Sequence, residues 1–292
     1  MYNPSAGGEE LQVDLLVQGL LDRGADVITQ NTKDNDYEKV LGLSTDFVII
    51  AGGDGTVEKL TKKLVDKNIP IAILPSGSAN NIANSLDVEE TLDGIINSWQ
   101  SKNFRKFSMG IVEVGQSKDY FLESVGWGLF SEVLARSNTE KKKEIKHSNA
   151  KQKDKVEYGL DRLSQSFEDL QPSYYDIFLD GKNYSGDYLW VEIMNTQSMG
   201  PQLNMAPEAK AGDEFLDVVL VKGDEHMLLK QFIENQSKEA PTHSFKTIQS
   251  KQIKVKTSTT FHIDDKIYKG QNIGGTWVQI SLFSRFFWVI NA

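Results

Sequence analysis

The feature that most constrains the fold of this chain is the nonapeptide VIIAGGDGT at positions 48–56. Its apolar first half predicts a parallel strand that is covered on both faces. Three glycines among the next four residues permit positive φ and let a ligand approach the main chain. A helix is expected to begin at Thr56, so main-chain N–H groups and the helix dipole would attract a phosphate. The segment therefore predicts either a phosphate-binding turn or a strand-to-helix turn whose glycines serve geometry alone.

Asp54 brings a negative charge to this turn. A carboxylate repels a bare phosphate, so we expect Mg²⁺, or a water chain that leads to Mg²⁺, beside it. A second turn of this kind follows the apolar segment 69–74, where Ser78 is expected to cap the next helix.

Strands and helices alternate through the first hundred residues. Leucines at helical spacing from Leu11 to Leu20 precede predicted strands at 25–29, 48–52 and 69–74, and further helices are predicted at 37–41, at 56–67 and up to Trp99. Gly24 is expected to end the first helix. This alternation predicts an α/β fold with a doubly wound parallel sheet, in which ligands bind at the carboxyl ends of the strands.

From Phe107 onward the apolar residues repeat with a period of two. Segments up to Phe283 read as strands, and several are joined by hairpin signals such as Asp180-Gly181. Long strands are predicted at 120–125, 245–256 and 261–268. The pattern predicts a C-terminal antiparallel β-sandwich domain with a helical insertion near 127–172. The apolar segment 286–290 is predicted to be a further strand rather than a tail.

Composition excludes several classes of protein. A net charge of −9 disfavours a general nucleic-acid binder, and the absence of cysteine excludes disulfides and thiolate chemistry. The four histidines lack zinc-ligand spacing and are expected on the surface or in strands. No apolar run is long enough to span a bilayer, and no secretory signal opens the chain. We therefore expect a cytoplasmic protein of two domains.

Five segments spread along the chain resemble the diacylglycerol kinase catalytic domain family, which includes bacterial lipid kinases and is related to the sphingosine kinases. They are Asn3 to Gly8, Gly52 to Thr56, Leu74 to Asn81, Ala206 to Asp217 and Ile263 to Lys266. The GGDGT motif also resembles that of the more distant NAD kinases and phosphofructokinases. In the lipid kinases the last strand returns to the first domain. The resemblance thus implies a nucleotide-binding domain of residues 1–106 and 284–292 and a lipid-binding domain of residues 107–283.

The resemblance also implies roles for individual residues. Asp264 would be the base that takes the proton of the acceptor hydroxyl. Asp213 and Asp217, with the main-chain oxygen of Phe215, would hold a structural Mg²⁺; alternatively, the two aspartates only begin an exposed edge strand. The residues that would bind ATP are Asn3, Pro4, Ser5, Gly52, Gly53, Asp54, Gly55, Thr56, Gly77, Ser78 and Asn81.

Several positions depart from the family motifs. Asn81 replaces an aspartate and keeps its acceptor oxygen without the charge. Glu214 replaces the glycine between the two predicted magnesium ligands, and Asp265 and Lys266 replace the glycine and glutamate that follow Asp264. Loss of the glutamate would weaken a magnesium-linked acidic network with Asp54, and Lys266 would instead contact phosphate directly. Alternatively, 264–266 is a hairpin tip made of favourable turn residues.

Three hypotheses follow. The first is an ATP- and Mg²⁺-dependent lipid kinase of phospholipid biosynthesis, which phosphorylates diacylglycerol or a related lipid in a cleft between the domains. The second is an NAD kinase-like enzyme, and the third is a catalytically impaired homologue that binds nucleotide or lipid and regulates a partner.

The expected partners are a lipid substrate and a membrane surface, with no nucleic acid; a homodimer is an option. Segment 140–157 holds seven lysines and four acids. It could face an anionic bilayer, or be an ordinary solvated face because acids are interspersed. We therefore expect a cytoplasmic protein that associates peripherally with membranes.

Overall fold

The structure is a computed structural model of the 292-residue chain, and it describes residues 1–5, 10–88, 93–94, 96–97, 104–141, 152–236, 245–270 and 275–290. The chain divides into two compact units, Met1–Ser108 with Arg285–Ala292, and Met109–Ser284. That each unit acts as a functional domain stays a prediction. Most of the lysine-rich segment, His147, His243 and the predicted helix end at Trp99 lie outside the described residues.

The first unit is an α/β structure around parallel strands. Strand β1 (Val48–Gly52) pairs in parallel with β2 (Ile71–Pro75), with Val48 opposite Ile71 and Gly52 opposite Pro75. Strand β14 (Val278–Ile290) pairs in parallel with β2 through Val289. Strands β1 and β2 therefore end at the same edge of the sheet. The elements of this unit are α1 (Glu10–Asp22), a 3₁₀ helix (Tyr37–Gly42), β1 (Val48–Gly52), α2 (Asp54–Leu64), β2 (Ile71–Pro75), α3 (Asn81–Ser85), the beginning of β3 (Phe104–Val114) and the end of β14 (Val278–Ile290).

The predicted strand at 25–29 is wrong. Tyr2 makes isolated parallel bridges to Ala51 and Asn31 instead. Val27 still packs against the core while Ile28 is exposed, so alternate burial arises here without a ladder of hydrogen bonds. Gly24 ends α1 with φ of +80°, as predicted.

The second unit is an antiparallel β-sandwich whose described part carries three helices. One sheet has the strand order β4-β3-β14-β11-β6, the other has the order β10-β9-β8-β5-β12-β13, and β6 also pairs with β8. The elements are the rest of β3 and β14, β4 (Ser117–Phe121), β5 (Ser124–Gly128), α4 (Leu129–Lys141), α5 (Gln152–Phe167), β6 (Ser173–Leu179), β7 (Lys182–Asn183), β8 (Gly186–Met194), β9 (Leu216–Lys222), α6 (His226–Asn235), β10 (Thr247–Ser250), β11 (Gln252–Lys256), β12 (Phe261–Ile263) and β13 (Lys266–Tyr268).

Two apolar cores hold this unit together. One core joins both sheets and includes the stacked rings of Trp127 and Phe261, 5.4 Å apart. The other packs side chains of the three helices, such as Leu163 and Phe232, against Trp190 of β8. No helix among the described residues is long and apolar enough to cross a bilayer.

The three long strands predicted in this unit are each interrupted. The strand predicted at 261–268 turns at Asp264, whose carboxylate also accepts the N–H groups of Leu122 and Glu123 and so ends β4. Asp180 likewise accepts the N–H group of Lys251 between β10 and β11. Each aspartate carboxylate accepts main-chain N–H groups that, in a continuous strand, would donate to the neighbouring strand.

Candidate functional site

The ends of β1 and β2 meet through two glycines. A Cβ added to Gly53 would lie 2.7 Å from Gly77 Cα, and a Cβ added to Gly77 would lie 2.4 Å from Gly53 Cα. Ser76 N–H also donates to Gly52 O at 3.1 Å. Contact this close excludes any side chain at these glycines, so the structure brings the two predicted phosphate turns together.

The start of α2 is tied to the amino-terminal turn. Thr56 Oγ1 accepts a hydrogen bond from Asn3 Nδ2 at 3.0 Å, and Asn3 Oδ1 accepts the N–H of Ser5 at 3.1 Å across Pro4. A Cβ on Gly55, by contrast, would meet no atom of the described residues within 4 Å apart from its own helix and chain neighbours. The described residues therefore leave this side of Gly55 open to a ligand.

Asp54 is directed at α3. Its Oδ1 accepts the N–H of Ile82 at 3.0 Å. Burial raises the pKa of Asp54, and main-chain N–H groups, those of Ile82 and Asn81 foremost, oppose the rise. Because a nearby cation favours an ionised carboxylate, this side chain is suited to bind Mg²⁺ directly or through water.

Asn80 is a residue of this site that the sequence analysis missed. It has φ of +52°, its Oδ1 accepts the N–H of Gly77 at 2.8 Å, and its Nδ2 donates to Gly77 O at 3.2 Å. Asparagine tolerates the left-handed conformation, so an Asn after a small-residue turn was the available signal. Ser78 lies half-buried in this turn, and Asn81 is buried as the first residue of α3.

Asp264 lies in the second unit, at the tip of the β12–β13 hairpin. It has φ of +50° and is 8% exposed. Its Oδ1 accepts N–H groups of three successive residues, Leu122 at 3.1 Å, Glu123 at 2.9 Å and Ser124 at 3.3 Å. Asp264 is thus both a turn residue and an oriented acceptor, so the two roles considered for it are compatible. Asp265 and Lys266, which follow it, are exposed.

Asp213 and Asp217 also lie in the second unit, and their environment suits a cation. Asp217 is 1% exposed, and its Oδ2 has no hydrogen-bond partner among the described residues. Burial and then the charge of Asp213 raise the pKa of Asp217 to about 6. No cluster of three His, Cys, Asp or Glu occurs in the described chain, so further ligands would be carbonyl oxygens, such as that of Phe215, or water.

Glu214, in place of the motif glycine, does not disturb this loop. The described residues with positive φ do not include Glu214. Its carboxylate lies 2.6 Å from Lys251 Nζ, which also lies 4.7 Å from the centroid of the Phe215 ring. A side chain is therefore compatible with the backbone at this position.

Comparison with known proteins relates both parts of the chain to the lipid kinases that its sequence motifs resemble. Residues 1–144 match the family model of the diacylglycerol kinase catalytic domain, and residues 136–270 match that of the YegS C-terminal NAD kinase beta sandwich-like domain. A probable lipid kinase YegS of Escherichia coli is 27% identical over 80% of this chain and 74% of its own length. A diacylglycerol kinase of Bacillus subtilis is 23% identical over 76% of this chain and 72% of its own length.

Solved structures share the fold. A diacylglycerol kinase from Bacillus anthracis superimposes with a TM-score of 0.72 at 21% identity, covering 100% of this chain and 95% of the other. An NAD kinase from Archaeoglobus fulgidus in complex with ATP gives 0.57 at 10% identity, covering 99% and 92%. Residues 1–144 therefore belong to the diacylglycerol kinase catalytic domain family, and residues 136–270 belong to the YegS C-terminal domain family.

Proposed function

We propose that this protein is an ATP-dependent lipid kinase that transfers the γ-phosphate of ATP to a hydroxyl of diacylglycerol or a related lipid. The observation that carries the proposal is the contact of Gly53 with Gly77, where each Cα lies within 3 Å of the other's missing Cβ. Such an approach serves no packing of side chains, and it leaves main-chain N–H groups at the start of α2 available to phosphate oxygens.

Nucleotide binding would use the residues around this contact. The main chain of Gly53 and Gly55 and the side chain of Thr56 would contact phosphate, since the Thr56 N–H already donates to Gly53 O at 2.8 Å. Gly52 and Gly77 would permit the approach. Asn3, Pro4 and Ser5 would border the site, because Asn3 bonds Thr56. Ser78 and Asn81 would border it from the β2 side.

In the reaction, the acceptor oxygen forms a bond to the γ-phosphorus, and the bond from that phosphorus to ADP breaks. The proton of the acceptor hydroxyl passes to Asp264. Phosphoryl transfer needs mainly positioning and charge stabilisation, and three N–H donors hold this carboxylate in one place. Mg²⁺, when bound near Asp54, would neutralise phosphate charge.

A second Mg²⁺ would be structural. Asp213 and Asp217 would hold it, because the unbonded Asp217 oxygen and the charge repulsion between the two carboxylates are both relieved by a cation. Stabilisation of the fold, rather than chemistry, is the expected consequence.

Peripheral membrane contact is supported by an aromatic patch in the first unit, formed by Phe104, Phe286 and Trp288. These side chains are 45%, 39% and 40% exposed. Trp288 lies 6.4 Å from the Phe104 ring and 5.2 Å from the Phe286 ring, and Lys106 Nζ lies 4.9 Å from the Phe286 centroid. Exposed aromatics beside a lysine match the chemistry of a bilayer interface, whereas lysine is depleted in protein interfaces.

A transfer assay tests the kinase. Purified protein with labelled ATP and Mg²⁺ is expected to phosphorylate diacylglycerol, or another lipid of a panel, in mixed micelles, and to leave NAD unlabelled. Label in NAD alone would favour the NAD kinase alternative. Label in no acceptor, with ATP still bound, would favour the binding homologue.

Vesicle sedimentation tests the patch. The wild type is expected to bind phosphatidylglycerol-containing vesicles better than phosphatidylcholine vesicles, and the double variant Phe286→Ser, Trp288→Ser should lose most of this binding. Met227→Ser, at a side chain that is 69% exposed in the second unit, is the matched control. Equal vesicle binding by all three proteins would show that the patch does not contact the membrane. Loss of a dimer in the double variant would show that the patch serves self-association instead.

A further inference from the structure

A buried hydrogen-bonded chain in the second unit has no role in the reaction described above. His262 of β12 and Glu192 of β8 are both fully buried, with His262 Nε2 3.1 Å from Glu192 Oε1. His262 Nδ1 lies 2.8 Å from Oγ of Ser131, which is in the first turn of α4. The indole N–H of Trp190 donates to Glu192 Oε2 at 2.7 Å. We call these four side chains the His262 network.

The hydrogen atoms of the His262 network follow from its donors. The Ser131 hydroxyl donates its single hydrogen to Gly126 O at 2.8 Å, so its oxygen accepts the Nδ1–H of His262. Trp190 can only donate, so Glu192 accepts from it. A hydrogen atom then lies between Nε2 and Oε1, so each polar side chain of the network has a partner. A buried network connected in this way is rigid, because breaking any one bond leaves a buried polar group unpaired.

Gly126 lets the two ends of the network meet. This residue of β5 is opposite Glu192 on one neighbouring strand and opposite His262 on the other. A Cβ on Gly126 would lie 2.1 Å from Glu192 Oε2. Side chains of two strands that are not neighbours therefore meet over the bare main chain of the strand between them. The hydrogen bond between His262 and Glu192 therefore fixes the positions of β8, β5 and β12 relative to one another along the strand direction.

Asp264 follows His262 by two residues, and it too is hydrogen-bonded to β5. Its own N–H donates to Ser124 O at 2.9 Å, and its carboxylate accepts the N–H groups just before and at the start of β5. In addition to its main-chain pairing with β5, strand β12 is thus tied to β5 by side chains at two points, by the network at Gly126 and by Asp264 at Ser124. If His262 and the rest of β12 shifted along β5, the Asp264 carboxylate would move away from its N–H donors.

We propose that Ser131, His262 and Glu192 are positioning residues for Asp264. The network fixes the position of β12 along β5. The Asp264 carboxylate is thereby kept within hydrogen-bond distance of the N–H groups of residues 122–124, where it meets the acceptor hydroxyl. The catalytic part of this inference rests on the proposed function. The positioning itself does not.

A serine, a histidine and a glutamate are also the members of hydrolytic triads, but these residues do not form one. Ser131 is 1% exposed, and its hydrogen goes to Gly126 O rather than to His262. A triad serine needs access to substrate and a base that accepts its proton. Positioning is therefore the role that the geometry favours.

Two variants of one residue test the proposal. Glu192→Leu removes the acceptor of two buried N–H groups. Glu192→Gln keeps an oxygen for Trp190 and supplies an amide donor to Nε2. In Glu192→Leu, we expect the amides of residues 122–124 to exchange hydrogen at least about tenfold faster. We also expect kcat for lipid phosphorylation to fall at least about tenfold with the KM for ATP unchanged. Glu192→Gln should restore both properties.

Ile253→Ala is the matched control, because Ile253 is equally buried but lies on β11 in the opposite sheet. It should lower the melting temperature without changing either property. Equal effects of Glu192→Leu and Ile253→Ala would overturn the proposal. Should Glu192→Leu fail to fold, Ser131→Ala removes only two hydrogen bonds of the network, and unchanged exchange at residues 122–124 in that variant would overturn it as well.

Exchange is measured without substrate, which separates this inference from the proposed function. If the wild type phosphorylates no lipid but its protection at residues 122–124 depends on Glu192, the kinase assignment fails and the positioning role stands. If the wild type is a lipid kinase and Glu192→Leu changes neither exchange nor kcat, the positioning role fails alone.

Discussion

Asp54 and Asp264 both accept main-chain N–H groups, but the turns around them are built in different ways. The Asp54 partner, Ile82, is 28 residues away, in α3, the helix that follows the neighbouring parallel strand. The partners of Asp264 are 140 to 142 residues away and lie where β4 ends and β5 begins. The first turn depends on glycines that let two main chains touch, whereas the second depends on the register of a sheet. Added Cβ atoms should therefore damage the first, and changes in strand position should damage the second.

The largest effect is expected at the glycine contact. In Gly77→Ala, the new Cβ meets the Gly53 main chain at 2.4 Å, so the two turns must separate, and ATP binding should fall below detection by calorimetry. Gly42→Ala is the matched control, because Gly42 ends the 3₁₀ helix, is not part of the proposed nucleotide site, and would carry a Cβ that meets no atom of the described residues within 4 Å. It should leave ATP affinity unchanged. Normal ATP affinity in Gly77→Ala would remove the nucleotide from this turn.

The second effect concerns the other aspartate. Asp264→Asn should lower kcat by about 10² or more, the scale for loss of a positioned general base, with little change in the KM for ATP. Its amide group would also point hydrogens at N–H donors, so the melting temperature should fall. Asp265→Asn, at the exposed neighbouring position, should change neither property. A kcat that is unchanged in Asp264→Asn would leave this aspartate with a structural role only.

Asp217 differs from Asp54 and Asp264, because one of its carboxylate oxygens has no hydrogen-bond partner in the described chain. Its pKa is raised from 3.8 to about 6, first by burial and then by the charge of Asp213. The folded state therefore binds the proton of the Asp217 carboxyl group more tightly than the unfolded state does. The contribution of this proton to the free energy of unfolding is fully present below pH 3.8 and is lost as the pH rises through 6, by up to about 3 kcal/mol.

Urea unfolding in chelator should show this loss as a difference between the wild type and Asp217→Asn that changes between pH 4 and pH 7. Mg²⁺ should reduce the change in the wild type, because a cation stabilises the ionised pair. A difference between the two proteins that is the same at both pH values, with or without Mg²⁺, would argue against a buried, metal-responsive carboxylate.

Local features of this molecule were predictable from the sequence, and distant ones were not. The strand, glycine turn and helix at residues 48–64 follow from apolar residues and glycines that are adjacent in the chain. The Asp180-Gly181 hairpin follows in the same way, with φ of +47° and +80°. The start of α2 at Asp54, two residues before the predicted Thr56, is within the usual variation of helix ends.

What the sequence could not reveal depends on partners far away in the chain. The breaks at Leu122 and Lys251 are made by aspartates 142 and 71 residues distant. His262 was expected as an isolated strand or surface residue; it does lie in a strand, but it is buried against Glu192, 70 residues away. No periodicity or spacing indicates such a pair. Gly126, the glycine directly after the predicted strand at 120–125, was the one available signal.

The most direct test of the central claim, that the glycine contact binds the nucleotide phosphates, is the change in main-chain amide NMR signals when ATP and Mg²⁺ are added to the isotopically labelled protein. The claim predicts that the amides of Gly53, Gly55, Thr56, Gly77 and Ser78 shift in a saturable way and that adenosine alone shifts them much less. Saturable ATP binding that leaves these five amides unshifted would contradict it.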